Sequence, residues 1–257
     1  MTAFSFPDVP GLRLDEPRPG VLLVTLDRPE QRNALNYDLR RGLVRLCRGL
    51  ADDRSVRALV LTGADPAFCG GVDLREQLAP DARPRPERTN PAQTLRTLDL
   101  PVIGAINGPC VTGGLEVALS CAFLIASERA TFADTHARLG LVPGWGMSAL
   151  LPRAVGVRTA RRMTLTGEPI DASTALALGL VTEVVPHAEL LGRALAVAEQ
   201  VASCDERAAR ASMRLYASTD GTTLAHALGV EADTAASWSR SADGTRDRFA
   251  GMLRRDG

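Results

Sequence analysis

Two glycine-containing turns are placed to do chemistry with their backbones. Ala67-Phe68-Cys69-Gly70-Gly71-Val72-Asp73-Leu74 and Asn107-Gly108-Pro109-Cys110-Val111-Thr112-Gly113-Gly114-Leu115-Glu116 each follow an expected strand and end where a helix should start. Glycine lets the backbone approach a ligand closely, and the first N–H groups of a helix lack internal partners, so each turn can donate hydrogen bonds to an anion. Facing each other, the two would form an oxyanion hole. Taken singly, each also reads as a tight strand-to-helix connection, and Asp73 with Glu76 matches a capping box.

Glu116 adds a group that can move a proton. It opens the run Val117-Ala118-Leu119-Ser120-Cys121-Ala122-Phe123, whose apolar character implies burial, and a buried carboxylate must be compensated or neutralised. Gly113 and Glu116 stand three residues apart and share a face of one helical turn. One element would then offer an N–H to an oxyanion and a carboxyl for proton transfer beside it. The structural alternative is that Glu116 caps its own helix.

The elements that must hold these residues can be read from hydrophobic spacing. Val21–Leu26 is a β-branched and leucine run, expected to be a fully buried strand. Asn36 should cap a helix over residues 37–50, where Leu39, Leu43, Leu46 and Leu50 recur at helical spacing. Further strands are expected at 58–62, Val102–Ile106, 123–126 and 181–185, with a helix over 113–120. The stretch 78–91, rich in proline, arginine and aspartate, reads as a mobile surface loop over a ligand site. Alternating short strands and helices signal an α/β core, assigned to residues 1–185. Beyond it, 186–257 reads as a helical subdomain, with helices over 187–203, 205–218, 222–237 and 242–255.

Composition narrows the chemistry. The 30 basic residues balance 30 acidic ones and all are arginine, so the chain has no lysine. That excludes a Schiff-base lysine and a Walker-type phosphate loop. Charge balance also removes the positive field that nucleic-acid and anionic-membrane binders use, leaving a small ligand or a protein partner. The cysteines Cys47, Cys69, Cys110, Cys121 and Cys204 are scattered, without metal-site spacing, and fit reduced thiols in the cytoplasm. Residues 1–20 lack a basic start followed by an apolar run, so no signal peptide is expected. No apolar stretch is long enough to span a bilayer.

Together, Arg32-Asn33-Ala34-Leu35-Asn36, the turn from Ala67 to Leu74, Pro101-Val102-Ile103-Gly104-Ala105-Ile106-Asn107-Gly108, Thr112-Gly113-Gly114-Leu115-Glu116 and Gly140-Leu141-Val142-Pro143-Gly144 resemble the motifs of the crotonase (enoyl-CoA hydratase/isomerase) family in their order. The resemblance implies a spiral of stacked ββα units with a helical C-terminal part that trimerises, commonly into hexamers. It implies an acyl-CoA or enoyl-CoA substrate, with coenzyme A carried by the substrate rather than bound as a permanent cofactor, and no metal. Val72 and Gly113 would supply the oxyanion N–H groups. Arg32, Asn33, Ala34, Leu35, Phe68, Gly71, Val72, Asp73, Leu74, Arg75 and Gly113 would border the coenzyme A path. Glu116 takes the place of one of two glutamates that handle water in the family's hydratases. In the place of the other, within Asp134-Thr135-His136-Ala137-Arg138, stands His136.

Imidazole can serve as acid or base near neutral pH, its unperturbed pKa being about 6.5. His136 is thus expected to share the catalytic water with Glu116, the alternative being a histidine that packs at a helix start and bonds to backbone. His187 and His226 read as structural. The resemblance points to reversible hydration of a 2-enoyl-CoA. Isomerisation, decarboxylation or thioester hydrolysis on the same scaffold, and an acyl-CoA-binding protein without turnover, stay open from sequence. A serine hydrolase is disfavoured by the lack of a Gly-x-Ser-x-Gly turn.

Overall fold

The computed structural model describes residues 8–78, 89–238 and 248–250. Strand β1 (Leu12–Arg18) turns at Gly20 into β2 (Val21–Leu26), and helix α1 (Tyr37–Asp52) leads to β3 (Ala58–Gly63). Two short helices, α2 (Leu74–Leu78) and α3 (Pro91–Arg96), precede β4 (Val102–Ile106). Then come β5 (Pro109–Val111), α4 (Gly113–Ala118), β6 (Phe123–Ser127), β7 (Thr131–Ala133), α5 (Met147–Val155) and α6 (Val157–Thr166). The chain continues through β8 (Ile170–Asp171), α7 (Ala172–Leu178), β9 (Glu183–Val185), α8 (Leu190–Ser203), α9 (Glu206–Thr219) and α10 (Leu224–Ser237).

Six strands form one sheet in the order β1-β2-β3-β4-β6-β9. Every neighbouring pair is parallel except β1 with β2. Parallel strands are normally covered on both faces, and the sequence shows how. Val21 and Leu23 pack with Val60, Ile103, Ile125 and the α8 residues Leu190, Ala194, Ala198 and Ala202. Leu22, Val24 and Leu26 pack on the opposite face with Leu39, Leu43, Leu46 and Leu50 of α1. Burying each of those four leucines contributes about 2 kcal/mol. The small alanines at four-residue spacing let α8 lie close to the sheet. As expected, Asn36 caps α1, its Oδ1 accepting from Leu39 N at 2.9 Å.

A second, three-stranded sheet, β5-β7-β8, is too short to have left a periodic signal in the sequence. β1 was also unread, because Asp15, Glu16, Pro17 and Arg18 give it an exposed edge rather than an apolar run. The stretch expected as a loop is bounded more tightly than 78–91: Leu78 closes α2 and Pro91 opens α3, with residues 79–88 outside the described residues. Most of the helix expected over 242–255 also lies outside them, and 248–250 are helical. The chain divides into two compact units, Met1–Met213 and Arg214–Gly257. No described helix is long and apolar enough to cross a membrane.

Candidate active site

The two glycine turns meet through backbone pairing. Phe68 N and Cys69 N both donate to Pro109 O at 3.1 Å, and Val111 N returns a bond to Cys69 O at 2.9 Å. A side chain at Gly114 would put its Cβ 2.4 Å from Cys69 O, so only glycine lets the first turn of α4 seat here. On the other strand of the turn, Leu35 N donates to Gly71 O at 2.7 Å and Asp73 N to Leu35 O at 3.2 Å. That parallel bridge uses the residues either side of Val72 and leaves the Val72 N–H facing away from it.

A Cβ built on Gly113 would lie 3.4 Å from Val72 N, and one built on Gly71 would lie 3.4 Å from Gly113 N. The two N–H groups are therefore neighbours, and among the described residues neither donates to an acceptor. Thr112 enters α4 with φ of 52°, a conformation that disfavours a β-branched residue. It is held by Thr112 N donating to Ala133 O at 2.8 Å and by Thr112 Oγ1, which accepts from Thr135 N at 3.1 Å.

Glu116, one turn further along α4, is 2% exposed. Its carboxylate does not cap its own helix, as the structural alternative had it. Oε1 instead accepts from Trp145 N at 2.8 Å and Met147 N at 3.2 Å, at the start of α5, where the helix dipole favours negative charge. Oε2 is turned to His136, 3.8 Å from Nε2, beyond direct hydrogen bonding.

His136, 7% exposed, precedes the 3-10 turn Ala137–Leu139. Its backbone carbonyl starts that turn, but its ring bonds to a side chain rather than to backbone. Nδ1 lies 2.7 Å from Asp134 Oδ1, which also accepts from His136 N at 3.1 Å. Asp134 Oδ2 accepts from Thr164 Oγ1 of α6 at 2.6 Å. Burial acts to raise the Asp134 pKa, but the hydrogen bonds from His136 and Thr164 outweigh it and hold the carboxyl below its ordinary value.

The remaining candidates separate into two layers. Asn33, Leu35 and Phe68 are fully buried, and Gly71 and Asp73 nearly so. Asn33 is a brace, its amide donating to Ala64 O at 2.7 Å and Ala67 O at 2.6 Å while its carbonyl accepts from Arg28 N at 2.9 Å. Asp73 pairs with Arg28 at 2.9 Å and caps α2 through Arg75 N at 3.2 Å. Glu76 does not complete a capping box; it accepts from Tyr37 N at 2.9 Å. Arg32, Leu74 and Arg75 are exposed, and Ala34 and Val72 partly so. Thr164 escaped sequence reasoning, and Asp134 and Trp145 stand in motif segments read from the sequence without a role assigned to them. Asp134 carried a local cue, two residues before His136, whereas Thr164 becomes a neighbour only through folding. A cleft of ≈ 490 Å³ between α5 and α6 includes Met147 and Thr164 in its lining, so one partner of Glu116 and one partner of Asp134 border it.

Residues 16–252 match the enoyl-CoA hydratase/isomerase family. The chain belongs to that family. Its fold agrees: the crystal structure of the enoyl-CoA hydratase from Mycobacterium smegmatis superposes with a TM-score of 0.73 at 45% identity, over 89% of this chain and 98% of that one. The "probable enoyl-CoA hydratase 1, peroxisomal" of Arabidopsis thaliana is 39% identical over 184 residues, 71% of this chain and 69% of that protein. The 2,3-dehydroadipyl-CoA hydratase of Escherichia coli is 36% identical over 213 residues, 82% of this chain and 84% of that protein. The spiral crotonase fold expected from the motifs is thus the fold of this family member, two sheets with helices at the C-terminal end.

Proposed function

We propose that the chain reversibly adds water to a 2-enoyl-CoA. The observation that carries this reading is the pair of adjacent, unpartnered N–H groups of Val72 and Gly113 with a buried carboxylate one turn away. The two N–H groups bind the thioester carbonyl oxygen and stabilise the enolate charge that develops on it, where each such donor is worth about 100- to 1,000-fold in rate. Glu116 takes a proton from water as the water oxygen bonds to C3. The electrons of the double bond move towards the carbonyl oxygen, and as they return C2 receives the proton that Glu116 took from water, so that one water is added in sum and the carboxylate is restored. His136 Nε2, across from Glu116 Oε2, orients the water or relays that proton.

Coenzyme A arrives and leaves with the substrate, and the reaction calls for no resident cofactor or metal. Arg32, Ala34, Leu74 and Arg75 offer accessible atoms along its path, while Asn33, Leu35, Phe68, Gly71 and Asp73 shape the backbone beneath. We assign the chain a trimer or dimer of trimers, supported by the exposed Leu224 and Leu228 on α10. Among the described residues all five cysteines are unpaired, which supports a reducing cytoplasmic setting.

The test is a panel of CoA thioesters incubated with the protein and followed by mass spectrometry. A gain of one water by 2-enoyl thioesters is the expected result. Bond migration, loss of carbon dioxide, release of free coenzyme A, or binding without turnover would each contradict the hydratase reading in favour of a different one.

A further inference from the structure

We propose that Asp134 and Thr164 are positioning residues for His136: the carboxylate holds the ring in its Nδ1–H form with Nε2 turned to Glu116, and the Thr164 hydroxyl holds the carboxylate. This rests on the reading that His136 works with Glu116. Asp134 Oδ1 accepts from the His136 backbone N at 3.1 Å and lies 2.7 Å from Nδ1 of the same residue; an ionised carboxylate can only accept, so this contact calls for Nδ1–H and fixes the ring against its own main chain. Oδ2 receives the Thr164 hydroxyl at 2.6 Å, from a helix separate in sequence. Each carboxylate oxygen therefore has a donor, and the group is held as an acceptor. The charged groups facing the ring are Asp134, on the Nδ1 side, and Glu116, from α4, on the Nε2 side.

The consequence is chemical. With Nδ1–H committed to Asp134, the ring exchanges protons with the site only at Nε2. Neutral, it presents a lone pair there; protonated, it presents an N–H. The same atom can then take a proton and return it without a change of tautomer, which reversible hydration needs in both directions. The fully buried Asp134 stays ionised, since its hydrogen bonds keep its pKa below the ordinary carboxylate value. Thr164 links this to α6 and the α5–α6 cleft, so packing there sets how firmly the ring is aimed.

The tautomer is measurable in the full-length protein by long-range proton–nitrogen NMR with labelled histidine. The chain has 3 histidines, and the His136→Ala spectrum identifies the relevant signals. The wild type is expected to show His136 protonated at Nδ1 when neutral. Asp134→Asn should lower kcat by up to about 10,000-fold, by analogy with the buried aspartate of a catalytic triad, with KM within about twofold and a shifted pH–rate profile. Thr164→Val should lower kcat about tenfold, and Thr164→Ser should recover at least half of the rate, because serine keeps the donor. Where Asp134→Asn fails to fold, the Thr164 pair and the wild-type tautomer decide. A wild-type Nε2–H tautomer would overturn the proposal. So would wild-type kcat and pH profile in Asp134→Asn and Thr164→Val when His136→Ala is impaired. Full activity in His136→Ala would instead overturn the role of His136, whatever the tautomer.

Discussion

Glu116 and His136 show how much a side chain's neighbours decide its work. Glu116 Oε1 is committed to two backbone donors and only Oε2 is turned to His136, so one carboxylate is both anchored and available. Glu116→Gln keeps the shape but cannot take a proton. It should lower turnover by at least about 1,000-fold, consistent with loss of a general base, while acyl-CoA binding measured by calorimetry stays within a few-fold. Unchanged turnover would remove Glu116 from the chemistry. Asp134 gives a prediction in pH. Its folded pKa is depressed, so the stability it contributes is fully present above about pH 4, where an unfolded aspartate is ionised, and is lost as pH falls through the folded value. The melting temperature of Asp134→Asn should thus fall short of wild type at pH 7, with the gap narrowing below about pH 4. A gap independent of pH would contradict the assignment. At this scale the sequence was informative where a residue had a local cue. Gly113 and Glu116 share a helical turn and were readable from spacing. Thr164 lies thirty positions from Asp134, and nothing in its own neighbourhood points there.

The elements place these groups by close backbone approach. α4 is six residues long, and its value lies in where its first turn sits. Gly114→Ala would drive a Cβ to within 2.4 Å of Cys69 O, a backbone atom that cannot swing aside. The variant should lose about 1–3 kcal/mol of stability, read by chemical denaturation, and a larger share of activity than of binding, since Val72 N and Gly113 N would part. Wild-type stability with wild-type rate would show that the turn is not seated as described. The strands of the large sheet were legible because burial on both faces leaves near-continuous apolar runs, as in Val21–Leu26, where Thr25 alone is polar. β5, β7 and β8, of two or three residues, and the amphipathic β1 were not, because pairing rather than pattern makes them strands. α5 and α6 went unread for a related reason. Their job is to hand Met147 N and Thr164 Oγ1 to residues on other elements, and no periodicity encodes that.

For the whole molecule, the five motif segments act together only in the folded order that brings 32–36, 67–74 and 112–116 to one place. Family membership explains the order, and in a lysine-free chain arginine is the side chain that would pair with the phosphates of the proposed coenzyme A ester. The assembly expected from the C-terminal helices is open to light scattering: a mass of three or six chains at micromolar concentration is expected, and a monomer would contradict it. The central claim is that Glu116 and His136 share the water that adds to an enoyl thioester. The measurement that tests it most directly is the rate of crotonyl-CoA hydration against pH for wild type, His136→Ala and His136→Glu. The account predicts an active wild type, a large loss in His136→Ala, and a recovered rate with a displaced pH profile in His136→Glu. Full activity and an unchanged profile in His136→Ala would contradict it.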